Sequence, residues 1–298
     1  MLLTGVFTAL VTPFDGPDQQ VDLDCYRALC DRQLDAGIAG LVPCGTTGET
    51  PTLSHAEWRS LIQVAVAAAK DHAARTGRHV PVIAGAGSNS TDKTVEAVQE
   101  VRALGADGAL VVFPYYNKPN PRGMLAHVQR VCATGLPVVL YHVPGRTGQR
   151  LPVSQLAELC RTDGVVAIKE ATGDMAFGLD LLEELEQSTV NPGVTLLSGD
   201  DFIFAPLVAM GAHGVISVLS NLAPRLTVAW CDAARTGDTA TLIDLRRRLQ
   251  PVVRALFVES NPVPAKAAMA ALGLCSDAVR LPLAPTRPMA AALLEGLE

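Results

Sequence analysis

A (β/α)8 TIM barrel is the fold this sequence predicts, and three observations predict it. Eight apolar runs of strand length alternate with amphipathic stretches of helical period. The links are short, and several carry a lone glycine where a helix should stop. The length of 298 residues suits one barrel of about 250 residues plus an extension. Repeated β-α units imply a parallel sheet covered by helices.

The elements follow in order. A strand over 5–11 precedes a helix over 22–36, whose apolar residues fall at 23, 26, 29, 30 and 34 and which ends before Gly37. The strand over 38–43 precedes a helix over 54–73, opened by a capping box from Ser54 to Glu57. Strands over 80–84 and 108–113 precede helices over 91–104 and 122–134, each stopped by a glycine, Gly105 and Gly135. Strands over 137–141 and 165–169 precede helices over 152–160 and 174–187. Strands over 194–197 and 214–218 precede helices over 201–210, before Gly211, and 223–236. Residues 1–236 thus make a barrel domain. Residues 237–298 make a helical C-terminal extension, with helices expected over 238–258, 264–272 and 285–297.

Composition excludes several function classes. Hydrophobic residues are 49% and charged ones 18%, which suits a large core and excludes disorder. The net charge of −6, with no basic block, excludes a nucleic-acid partner. No apolar run reaches membrane-span length, and Met1-Leu2-Leu3-Thr4-Gly5 has no leader pattern, so a cytoplasmic chain is expected. Seven scattered cysteines without a C-x-x-C read as reduced, buried hydrophobes. Six histidines show no metal-ligand spacing, so no metal is expected.

In such a barrel the chemistry lies at the C-terminal ends of the strands. Unusual residues collect there: Gly45-Thr46-Thr47-Gly48-Glu49, Gly85-Ala86-Gly87-Ser88-Asn89, Tyr115-Tyr116-Asn117, Tyr141 through Gly148, Lys169-Glu170 and Ser198-Gly199-Asp200-Asp201. Three of the chain's four tyrosines lie on this face. Lys169 closes an apolar strand. Read alone it is a lysine leaving into solvent; buried, it loses its proton near neutrality and attacks a ketone to form a Schiff base. Gly45 to Gly48 reads as a capped turn or as a cradle of donors for a small carboxylate. Gly85-Ala86-Gly87 lacks the third glycine of a dinucleotide fingerprint. Tyr115 and Tyr116 read equally as packing or interface aromatics. Arg146, flanked by glycines, reads as a surface ion pair or a bidentate carboxylate grip. Together they point to a small α-keto acid, with hydroxyls relaying protons and the iminium as electron sink, so no cofactor is required.

These motifs, with Thr8 through Pro13, Ile168 through Gly173, His213 through Ser217 and Phe257 through Pro262, resemble the dihydrodipicolinate synthase/N-acetylneuraminate lyase family over essentially the whole chain. The resemblance implies a class I aldolase-type lyase in which Lys169 forms a Schiff base with pyruvate. It implies Tyr141 as main proton donor and acceptor, with Thr46 and Tyr116 completing a hydroxyl relay, Tyr116 reaching over from a neighbouring subunit. Thr47 would hold the pyruvate carboxylate, Ile216 and Gly199 would line the pocket, and Arg146 would bind L-aspartate 4-semialdehyde. The product would be 4-hydroxy-tetrahydrodipicolinate, on the route to diaminopimelate and lysine, made by a homotetramer built as a dimer of dimers.

Thr46-Thr47, Arg146 and the 257–262 segment favour the synthase branch over the branch that cleaves N-acetylneuraminate or 2-keto-3-deoxy sugar acids. The intact lysine, tyrosine and threonine set argues against a non-catalytic keto-acid sensor. His142 and Gly145 depart from the family's frequent Asn and Ser. His55, Asn89 and Tyr115 match the family's lysine-binding set. Trp58 and Lys93 replace its frequent His and Glu, which implies weak or absent lysine inhibition.

Overall fold

A computed structural model describes residues 1–16 and 18–297. Eight parallel strands form the barrel: β1 Gly5–Ala9, β2 Gly40–Val42, β3 Ile83–Gly85, β4 Gly108–Val112, β5 Val138–His142, β6 Val165–Glu170, β7 Thr195–Ser198 and β8 Gly214–Ser217. Hydrogen-bonded neighbours run β2-β1-β8-β7-β6-β5-β4-β3. A parallel bridge between Leu41 and Val82 closes the ring.

Strand alternation divides the core in two. Val6, Val111, Leu140, Ile168, Leu196 and Val215 face outward beneath the helices. Phe7, Ile83, Leu110, Val139, Ala167, Leu197 and Ile216 face inward and fill the barrel. The next inward positions on β5 and β6 are Tyr141 and Lys169, which carries the alternation up to the C-terminal rim.

Helices α1 Leu23–Asp35, α2 His55–Thr76, α3 Thr91–Ala103 and α4 Pro121–Cys132 follow the first four strands. A short α5 Pro144–Thr147, then α6 Val153–Cys160, α7 Met175–Glu186, α8 Phe204–Ala209 and α9 Pro224–Thr236 follow the rest. The capping box at Ser54 forms as expected, the Ser54 N–H donating to Glu57 Oε2 at 2.8 Å. Gly37, Gly105, Gly135 and Gly211 stop their helices with φ between 76° and 115°, where glycine carries no Cβ penalty.

Three expectations are corrected. Residues 285–297 form no α-helix, only a single 3-10 turn at Ala291–Leu293. Pro285 and Pro288 lack N–H donors and bias the residues before them away from helical angles. The helix expected from 201 begins at Phe204, because the Asp201 carboxylate instead accepts the Val218 and Leu219 N–H groups. The third strand begins at Ile83 rather than residue 80, since Pro81 has no N–H to donate and only its carbonyl is used, by the Leu41 N–H. An unforeseen antiparallel hairpin pairs Phe14–Asp15 with Gln20–Val21.

Beyond the barrel lie α10 Thr239–Leu256 and α11 Val263–Ala271. The segment between them turns back over the C-terminal rim. No helix among the described residues is long and apolar enough to cross a membrane.

Candidate active site

A cavity of 440 Å³ opens at the C-terminal rim, within the usual size of small-molecule sites. Lys169, Tyr141, Thr46, Thr47, Arg146 and Gly199 all line it. Six residues scattered over 153 positions of sequence are therefore brought to one chamber by the ends of β2, β5, β6 and β7.

Lys169 is 6% exposed. Its Nζ lies 4.3 Å from the centroid of the Tyr141 ring, its register partner on the adjacent strand. Burial lowers its pKa to about 8; Asp201 opposes the shift and Arg146 reinforces it. The amine therefore has a usable neutral fraction near neutral pH. Gly199 makes room for it: a Cβ there would lie 2.9 Å from the Lys169 Cε and 2.7 Å from the Ala171 Cβ.

Tyr141 is buried, and Thr46 lines the same cavity beside it. Burial pushes its phenol up, while Arg146 and the neighbouring Thr46 hydroxyl pull it back. The phenol thus holds its proton at neutral pH and can pass it along a hydroxyl pair.

The loop after β2 is shaped by its own hydrogen bonds. Thr12 Oγ1 donates to the Gly48 carbonyl at 2.7 Å, and Glu49 takes a left-handed conformation with φ 54°. The buried Glu49 carboxylate pairs with Lys266 Nζ of α11 at 2.8 Å and accepts the Arg280 N–H at 3.0 Å. Lys266 also donates to the Thr12 carbonyl and sits over the Phe14 ring. The second buried lysine is thus fully engaged, whereas Lys169 faces open cavity.

Sequence reasoning gave no role to Asn261. Its Nδ2 donates to Thr47 Oγ1 at 2.9 Å, and its carbonyl accepts from Arg146 at 3.0 Å. It thereby ties both expected carboxylate-binding residues together, and Phe257, Glu259 and Ser260 line the cavity beside it. The motif at 257–262 was the signal that this segment matters. Asp200 and Arg150 also line the cavity without having been singled out.

Other expected residues stand apart. Ile216 belongs to the packed layer inside the barrel, and Val218 lines the cavity in its stead. Tyr116 is 90% exposed and does not line its own chain's cavity. Tyr115 lines an adjoining cavity of 420 Å³ that shares Thr46, Tyr141 and Arg146 with the first. His55 is exposed and pairs with Glu100 at 2.7 Å, and the Asn89 carbonyl accepts from Asn117. No group of three or more His, Cys, Asp or Glu able to hold a metal occurs among the described residues.

A model of the dihydrodipicolinate synthetase family matches residues 2–294. The chain belongs to that family. A 4-hydroxy-tetrahydrodipicolinate synthase from Maridesulfovibrio salexigens is 44% identical over 297 residues, covering 99% of this chain and 97% of that one. A dihydrodipicolinate synthase from Acinetobacter baumannii, solved with pyruvate, superposes with TM-score 0.87 at 35% identity, covering 99% of this chain and 96% of that one. A monomeric dihydrodipicolinate synthase variant superposes with TM-score 0.91 at 37% identity, covering 99% and 95%. The family's fold and this chain's barrel are the same.

Proposed function

We propose that this chain is a lyase that condenses pyruvate with L-aspartate 4-semialdehyde to 4-hydroxy-tetrahydrodipicolinate. The observation that carries the reading is one buried, depressed-pKa amine facing a cavity that Tyr141 and Thr46 also line, with its nitrogen 4.3 Å from the Tyr141 ring. Full-length similarity to synthases of this activity supports it.

The neutral Lys169 amine adds to the pyruvate ketone, and the carbinolamine loses water to an iminium. The Tyr141 phenol supplies the proton that lets hydroxide leave as water. Loss of a methyl proton gives an enamine, whose carbon attacks the aldehyde of the second substrate. That substrate's own amine then displaces Lys169 and closes the ring, returning the lysine. Thr47 holds the pyruvate carboxylate and Arg146 that of the semialdehyde. The iminium serves as electron sink, so no cofactor takes part.

The enzyme works in the cytoplasm as a homo-oligomer, a dimer of dimers, with Tyr116 of one copy completing the relay of another. Its exposure here supports that reading. The deciding experiment supplies pyruvate with L-aspartate 4-semialdehyde, and in parallel N-acetylneuraminate and 2-keto-3-deoxy sugar acids. Turnover of the first pair is expected; a higher kcat/KM for sugar-acid cleavage overturns the reading.

A further inference from the structure

His142 and Glu170 directly follow Tyr141 and Lys169 on their strands, so they face the opposite way, behind the cavity. They are register partners, and both are fully buried. His142 Nε2 accepts the Leu151 N–H at 3.2 Å. That bond places the ring proton on Nδ1, which lies 3.4 Å from Glu170 Oε1, a polar contact rather than a well-aligned hydrogen bond. Glu170 Oε1 accepts the Thr172 N–H at 2.7 Å.

The Leu151 bond closes the base of the excursion over 143–150, which carries Arg146. Inside it, Arg146 N and Thr147 N both bond the Val143 carbonyl, which ties α5 to the start of the loop. The imidazole also stacks on Phe177 at 5.6 Å, and Arg150 at the loop's far end lies 4.9 Å over that same ring. Both ends of the loop are thus referred to one buried imidazole. Arg146's own contact at its tip is a single bond to the Asn261 carbonyl.

We propose that His142 is a positioning residue for the second substrate: by bonding Leu151 it sets the base of the Arg146 loop and so the carboxylate grip. The inference rests on the synthase reading above. It assigns His142 no contact with substrate. A misplacement of the guanidinium by about 1 Å is enough to cost roughly 100-fold in a positioned reaction.

His142→Met keeps a similar volume but offers no acceptor at Nε2, whereas His142→Gln reaches the Leu151 N–H with its Oε1. The Met variant should raise KM for L-aspartate 4-semialdehyde about tenfold, with KM for pyruvate within about twofold of the parent. The Gln variant should recover most of that loss. In an Arg146→Ala background the Met substitution should add less than about twofold, because the residue it acts through is gone. Borohydride trapping of pyruvate counts intact sites in each preparation and reports on the Schiff-base reading separately. Should the Met variant fail to fold, His142→Leu, which likewise offers no acceptor to the Leu151 N–H, takes its place. Equal changes in both KM values, no recovery by Gln, or an undiminished effect without Arg146 would each overturn the proposal. Absence of any adduct in the parent enzyme would instead overturn the synthase reading.

Discussion

The Lys169 ammonium nitrogen lies 4.3 Å from the Tyr141 ring centroid, and the two residues are paired in register across β5 and β6. An amine that loses its proton and a phenol that keeps its own are thereby fixed side by side. Alternation fixes them too: each is the inward residue next above Val139 and Ala167, so neither can turn away without reversing its strand.

Lys169 should be the lysine that pyruvate modifies. Borohydride reduction with pyruvate is expected to leave one adduct there, read by peptide mass, and none on the carboxylate-paired Lys266. Because the pKa is lowered to about 8, adduct formation should fall by about tenfold per pH unit well below 8 and level off above it.

The same shift is a stability cost. Burial penalises the charged form, so the penalty is fully present below about pH 8 and fades as pH rises toward the ordinary lysine value, with the unfolded chain binding the extra proton in between. Lys169→Met should therefore be inactive yet more stable at pH 7, by roughly 2–4 kcal/mol. Denaturant unfolding at pH 7 and pH 10 checks both the gain and its shrinkage. A Met variant less stable than the parent at pH 7 contradicts the assignment.

Tyr141→Phe keeps the buried ring and removes only the hydroxyl. The expected result is a loss of about 10²–10⁴ in kcat with the fold intact. Thr46→Val should lose less, since it removes the partner of the phenol rather than the phenol. Comparable stopped-flow rates of adduct formation in parent and Tyr141→Phe would remove Tyr141 from the proton path.

Much of this site was legible in the sequence because it is built from strand ends. Apolar runs set the strands, and the polar residue ending each run is what a barrel brings to its rim. Depth along the barrel axis was not legible. Alternation places Ile216 inside the barrel, but the stagger between strands decides that it sits in the packed layer and Val218 reaches the cavity. Nor was Asn261 legible in its role, for its bond to Thr47 spans 214 positions. The Glu49–Lys266 pair, 217 positions apart, was hidden for the same reason. Nothing local in either segment demands the other.

That pair holds α11 against the loop that carries Thr46 and Thr47. Lys266→Met would leave the Glu49 carboxylate buried with one cation fewer, a loss of about 3–5 kcal/mol. The double variant Glu49→Gln with Lys266→Met should recover part of it, since no unpaired charge remains. Urea unfolding of the three chains measures the coupling; additive losses would mean that the two side chains do not act as a pair.

Lysine should inhibit weakly. Glu100 is already engaged by both His55 and Arg59, and His55 stacks on Trp58 at 5.8 Å. Trp58 is locked in turn by its Nε1 bond to the Gly85 carbonyl at 3.0 Å. A lysine ammonium arriving there meets spent acceptors and the like charge of Lys93 nearby in sequence to Asn89. Less than about twofold loss of rate is expected at millimolar lysine, an affinity scale of about 4 kcal/mol. Strong inhibition at micromolar lysine would refute this.

Tyr116 carries the last prediction. Its ring is 90% exposed and its backbone sits at φ 73°, a left-handed conformation costing a non-glycine residue about 1 kcal/mol or more. A large aromatic held outward at such a cost has little to gain within its own chain. Its hydroxyl gains a role if a second copy receives it in the adjoining cavity, where Thr46 and Tyr141 are already shared with the site. Activity should therefore fall when assembly is broken, even though each barrel keeps its own core. Sedimentation paired with specific activity over a dilution series tests the dependence. Tyr116→Phe separates the two roles: it should keep the assembly and lower kcat by about 10–100-fold, as loss of one relay hydroxyl predicts. A monomer with full specific activity, or a Tyr116→Phe enzyme with unchanged kcat, would place the relay within a single chain.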